Sequence, residues 1–181
     1  MKTIVMKFGG TSVAGAERIT SVVDIARTLQ QGRFPYAPEG APGGARLVIV
    51  ASAFSGVTDT LIRAAQFAAA RNDQAFRQAA KDLRQKHWEA IDALITLPGR
   101  QAGLRREVEM LVSGFESLCR AITVLGELTP RGLDAVASLG ERLSARIVAA
   151  AMNEASLPAQ SIEATSLIVT DDNYTAAVPQ M

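Results

Sequence analysis

Two short apolar runs, at residues 4–8 (IVMKF) and 47–51 (LVIVA), each pass through a turn of small residues into a segment with helical periodicity. Runs this short, rich in branched side chains and bounded by turn formers, read as buried strands. After the first run, Gly9 and Gly10 lead to Val13, Ile19, Val22, Val23, Ile25, Ala26 and Leu29 at helical spacing, and Gly32 is placed to end a helix over 11–31. After the second, 52–59 (SAFSGVTD) precedes a helix expected from about 60 to 70. Strands alternating with helices imply a parallel sheet covered by helices on both faces. The expected class is α/β, a three-layer αβα sandwich on a mainly parallel sheet.

The remainder of the chain changes character. Residues 34–45 (FPYAPEGAPGGA) hold three prolines and three glycines and can continue neither element, so a surface loop is expected. From 72 to 127 there is no strand signal, and two long helical segments meet at 97–99 (LPG). In the second, Leu104, Val108, Leu111, Phe115, Leu118, Ile122 and Leu125 advance by steps of four and three, the seam of a packed helix pair. This predicts a helical hairpin inserted beside the sheet. A further helix is expected over 133–154, after 129–132 (TPRG), followed by a weak strand at 160–163 and a clearer one at 167–170.

Charge narrows the choice of partner. Nineteen Lys and Arg against eighteen Asp and Glu give a formal charge of +1 with no basic block, so neither nucleic acid nor an anionic membrane is favoured and a small molecule is expected. Cys119 is the only cysteine, which excludes an internal disulfide and a cysteine-rich metal cluster and suits a reducing compartment. No apolar stretch approaches a signal peptide or a membrane span, and 181 residues suit one domain or one domain with a helical appendage. These features predict a soluble cytoplasmic protein.

In an open parallel sheet, ligands bind at the carboxyl ends of the strands. Both small-residue turns fall there. Gly9 and Gly10 permit close approach to backbone N–H groups, and the helix that follows adds its positive end, a setting suited to phosphate. Lys7 precedes the turn and can reach the same anion; unpaired in an apolar sheet, its ammonium would be costly. The competing reading is a tight glycine turn with Lys7 at the surface of an edge strand, and the pattern lacks the spacing of a Walker loop or a dinucleotide fingerprint. Ser52, Ser55 and Thr58 surround Gly56 at the second turn. Helix capping accounts for Thr58 or Asp59, but not for all three hydroxyls.

Residues 7–13 (KFGGTSV) resemble the N-terminal signature of aspartate kinases in the amino acid kinase family. Residues 50–61 (VASAFSGVTDTL) resemble that family's second loop, 126–144 (GELTPRGLDAVASLGERLS) its segment ending in a Gly-Glu motif, and 170–179 (TDDNYTAAVP) its connector into the nucleotide-binding half. The resemblance implies phosphoryl transfer from MgATP to the side-chain carboxylate of L-aspartate, giving 4-phospho-L-aspartate, the entry to lysine, threonine and methionine synthesis. It implies that Lys7 neutralises the transferring phosphoryl group, that Gly9 and Gly10 offer amides to the phosphates with Ser52 nearby, and that Thr58 and Glu141 belong to the aspartate pocket, Glu141 facing the substrate ammonium. A carboxylate nucleophile is already ionised at neutral pH, so the chemistry needs no general base. MgATP is then a co-substrate, with no tightly bound cofactor and no protein metal site.

The same resemblance implies that the chain is the N-terminal, amino-acid-substrate part of a longer catalytic domain. Family members continue with a Gly-Arg-Gly-Gly-Ser-Asp type segment, the strands that hold the adenine nucleotide, and regulatory domains, none of which is matched within 1–181. Little or no kinase activity and no feedback inhibition are expected of the chain alone, together with self-association through uncovered apolar surface. His87 reads as ordinary packing or exposure, Arg142 as scaffold, Arg131 as a turn or helix-terminus residue, and Asp171 and Asp172 as solvated carboxylates. Two other functions remain open: an interaction module working through the hairpin, which would have no need of an anion cradle, and another amino acid kinase, against which KFGGTSV together with GERLS argues.

Overall fold

The structure, a computed structural model, describes residues 3–32 and 46–180. The loop expected over 34–45 lies outside the described residues. Strand β1 (Thr3–Phe8) pairs in parallel with β2 (Arg46–Ala51), with Thr3 opposite Arg46 and Phe8 opposite Ala51. The two-residue alternation of a strand sorts the side chains. Phe8, Leu47 and Ile49 face inward and pack on the helical core. On the other face Val5, Val48 and Val50 remain 64%, 41% and 48% exposed, with Lys7 opposite Val50.

The helix expected over 11–31 is divided. A 3-10 turn at Gly10–Val13, closed by Ser12 N–H donating to the Gly9 carbonyl at 2.9 Å, precedes α1 (Ala16–Gln30). Helix α2 (Val57–Ala69) begins earlier than the expected 60, because Gly56, at φ +78°, makes the left-handed turn that starts it. Helix α3 (Asp73–Leu94) is capped by Asn72, whose side chain accepts from the Ala75 N–H at 3.2 Å. Pro98 opens α4 (Pro98–Leu125), where its missing N–H costs nothing.

Helices α3 and α4 pack as a hairpin cross-linked by Arg84, which donates to Glu109 at 2.7 and 2.9 Å and to Glu116 at 2.7 Å. The buried residues of α4 are Leu104, Val108, Val112, Phe115, Cys119 and Ile122, whereas Leu118 and Leu125 are exposed. The strict heptad read from the sequence drifts off the contact face because a straight helix repeats every 3.6 residues, not 3.5.

Helix α5 (Pro130–Ala137) starts at Pro130 because Thr129 caps it, accepting from Gly132 N–H at 3.1 Å. The chain breaks at Ser138 and continues as α6 (Leu139–Glu154), which touches β2 and every helix from α1 to α5. No helix of the described residues is long and apolar enough to cross a membrane.

The strands expected at 160–163 and 167–170 do not form. That segment holds a 3-10 turn at Ala164–Ser166 and a single antiparallel bridge between Thr170 and Pro179. Side chains occupy its polar groups instead: Asn153 bonds both the N–H and the C=O of Ala159, at 3.0 and 2.8 Å, and Glu163 is held by Arg142 and Arg146 at 3.0 and 2.6 Å. Apolar Ile162, Leu167, Ile168 and Val169 stay exposed, since among the described residues no neighbouring strand receives them.

Candidate functional site

Parallel pairing brings the carboxyl ends of β1 and β2 to one edge. Ser52 N–H donates to the Phe8 carbonyl at 3.0 Å, so the two turns leave the sheet side by side. A Cβ on Gly10 would lie 3.0 Å from the Ala53 carbonyl oxygen. Glycine is therefore needed there for backbone to approach backbone, independently of any ligand. The Lys7 ammonium curls over the same turn, 3.8 Å from where a Cβ on Gly9 would stand. Lys7 forms no ion pair among the described residues.

The second turn is fixed residue by residue. Ser144, fully buried on α6, donates its hydroxyl to the Ser52 carbonyl at 2.6 Å. Ala53 N–H donates to Glu141 Oε1 at 3.2 Å. The Phe54 carbonyl accepts from Val57 N–H at 2.9 Å, and the Ser55 carbonyl accepts from the Lys86 ammonium at 2.6 Å. Helix α6 can come this close because residue 140 is glycine: a Cβ there would sit 2.5 Å from the Ala53 Cβ and 3.3 Å from a Val57 methyl.

The fold thus gathers Gly10, Ser52 and Glu141 around Ala53, with Thr58 next to Val57 in the first turn of α2 and Lys7 and Gly9 beside Gly10. Helix α2 has no side-chain N-cap, so capping does not account for the Thr58 hydroxyl. Unpaired N–H groups of that first turn and of the glycine turn, together with the Lys7 ammonium, make an anion-favouring edge. Glu141 adds a single exposed carboxylate, one oxygen of which is engaged by Ala53. The edge is open. Two concavities of about 440 and 240 Å³ lie elsewhere, the first lined by Arg84, Trp88 and Arg105, the second by Phe115, Leu118 and Val136.

His87 is fully buried and stacked on Phe54, with ring centroids 4.8 Å apart and planes 18° from parallel. Its Nδ1 lies 2.6 Å from the Leu83 carbonyl, which can only accept, so Nδ1 carries a proton. Burial pulls its pKa down to about 4, against the opposing pull of that carbonyl. Burial likewise pushes the Cys119 thiol up to about 12, which leaves it unreactive. Gly140, Ser144 and Lys86 had no expected part in the site. The one sequence signal is for Gly140, a glycine inside the helical pattern of 139–144, which costs helix stability unless a neighbour needs the space.

The pattern of the amino acid kinase family matches residues 2–180. The chain belongs to that family. Among curated members of the amino acid kinase family, it is 32% identical over 176 residues to aspartokinase 1, chloroplastic, of Arabidopsis thaliana, covering 96% of this chain and 27% of that one. It is 31% identical over 183 residues to an aspartokinase of Chlamydia pneumoniae, covering 100% and 34%. The fold is that of Escherichia coli aspartokinase III, solved in complex with aspartate and ADP, with a TM-score of 0.78 at 22% identity over 99% of this chain and 35% of that structure. The chain spans about a third of the length of these relatives.

Proposed function

We propose that the chain carries the amino-acid-binding part and the phosphate turn of an aspartate kinase, residues 1–181 forming the N-terminal part of its catalytic domain. The reaction is phosphoryl transfer from MgATP to the side-chain carboxylate of L-aspartate. The observation that carries this reading is the junction at Ala53, where the Gly10 turn, the 52–56 loop and the Glu141 carboxylate meet. The names of the relatives supply the substrate class.

In this reading the Lys7 ammonium lies against the transferring phosphoryl group and offsets charge that develops there, while the N–H groups of Gly9 and Gly10 hold phosphate oxygens and Ser52 contributes beside them. Thr58 and Glu141 hold the amino acid. Glu141 Oε1 is engaged by the Ala53 amide, so Oε2 is the oxygen left to accept the substrate ammonium. The attacking carboxylate is ionised at neutral pH, and positioning supplies most of the rate.

Calorimetric titration of the chain with L-aspartate, L-glutamate and MgATP tests this. Aspartate is expected to bind in preference to glutamate and to lose affinity in Glu141→Ala, and MgATP to lose affinity in Lys7→Ala. Preference for another amino acid, or aspartate binding indifferent to Glu141, would overturn the reading.

A further inference from the structure

Helix α3 of the hairpin reaches the second turn directly. Consecutive residues of α3, Lys86 and His87, hold consecutive residues of the second turn, Ser55 and Phe54. Successive helical residues point about 100° apart, so the pair straddles the loop: the imidazole enters the core against Phe54 while the lysine runs out along the edge. The Ser55 carbonyl immediately precedes the left-handed Gly56 and has the Lys86 ammonium as its partner, at a charge-assisted distance of 2.6 Å. On its opposite side the loop is gripped by Ser144 and Glu141 of α6. The α3 contacts therefore set how far the start of α2, and with it Thr58, stands from Glu141.

We propose that Lys86, with His87 behind it, is a positioning residue for the amino-acid substrate: α3 holds the 52–56 loop at the height that aspartate binding requires. The inference rests on the assignment of this edge to aspartate. Lys86 is half-buried and outside the core, so its replacement leaves the fold intact.

The test compares the wild-type chain with Lys86→Met, which keeps the stem and removes the ammonium, and Lys86→Arg, which restores a cation. Amide hydrogen exchange at Ala53 and Val57 is expected to quicken by about tenfold in Lys86→Met, with no change at Val112 in α4, and to recover in Lys86→Arg. L-aspartate affinity, titrated on the same three proteins, is expected to fall about tenfold in Lys86→Met and to recover in Lys86→Arg. Unchanged exchange at Ala53 and Val57, quickening that spreads equally through α4, or a loosened loop with unchanged aspartate affinity would each overturn the proposal. If the wild-type chain binds no aspartate, the substrate reading of the edge fails and takes the substrate role of Lys86 with it. The exchange data then decide separately whether Lys86 holds the loop.

Discussion

The backbone amide of Ala53 donates to Oε1 of Glu141 at 3.2 Å, so the carboxylate proposed to hold the substrate is also a strut of the loop beside it. These duties separate on substitution. Glu141→Gln keeps an acceptor for the amide but loses the charge, and is expected to leave stability within about 0.5 kcal/mol while weakening L-aspartate binding by about tenfold or more. Glu141→Ala is expected to lose the binding and about 1 kcal/mol of stability as well. Urea denaturation and calorimetry on both variants distinguish the two contributions.

Gly140→Ala brings helix propensity and packing into opposition. Alanine favours a helix over glycine by about 1 kcal/mol, but its Cβ would stand 2.5 Å from that of Ala53, inside contact distance. Both atoms belong to rigid backbone neighbourhoods, so overpacking should win with a net loss of about 1–2 kcal/mol. A raised urea midpoint would mean that α6 can shift away from the loop without cost.

Acid should destabilise the chain through His87. Its folded pKa, about 4, lies below the ordinary 6.5, so the unfolded chain takes up the proton more readily. Stability from the neutral buried ring is complete above pH 6.5 and declines as pH falls from there towards 4, by about 3 kcal/mol in total. His87→Phe preserves a ring against Phe54 and removes the titrating group. The difference in stability between wild type and this variant, followed by denaturation from pH 7 to 4, is expected to move in that window and to be flat above it.

Removing Arg84 leaves Glu109 and Glu116, two turns apart on α4, without the cation that α3 supplies to both. Arg84 holds the Glu109 carboxyl below the usual range, and the guanidinium is largely shielded from water. Because the pair is only partly buried, Arg84→Met is expected to cost about 2 kcal/mol at neutral pH. The deficit should shrink below the carboxylate range, where wild type loses its ion pairs too. A deficit that is constant with pH would show that the arginine acts by packing alone.

The exposed face of Val5, Val48 and Val50 is expected to drive concentration-dependent association. Sedimentation velocity on wild type and Val48→Lys reads this directly. A lysine there should lower the association without changing the melting temperature, whereas a wild type that stays monomeric at every concentration would remove the prediction.

The strands and most helices were legible because burial writes a period into the chain. Ile19, Val22, Val23, Ala26 and Leu29 follow the helix repeat and are buried. Residues 160–170 misled because a run of branched residues looks the same whether or not a neighbouring strand is present to pair with it. At the site, Gly10 was legible as a place needing no side chain, although the Ala53 carbonyl supplies a reason that no ligand enters. Ser144 and Lys86 were not legible. Their partners lie 92 and 31 residues away, and local periodicity carries no record of which helical turn meets which loop.

Those separations also order the folding of the molecule. Arg84 reaches partners 25 and 32 residues away within the hairpin, whereas the junction of Ala53 and Glu141 closes a span of 88. Shorter loops close at lower entropic cost, so the hairpin is expected to assemble first and the edge of the sheet to be completed last. Trp88, the one tryptophan, sits on α3 and reports the early event. Its fluorescence should recover before the chain regains ligand affinity in a stopped-flow experiment, and simultaneous recovery would place both events in a single step. A protein built in this order is left, each time it unfolds partially, with its scaffold standing and its site undone.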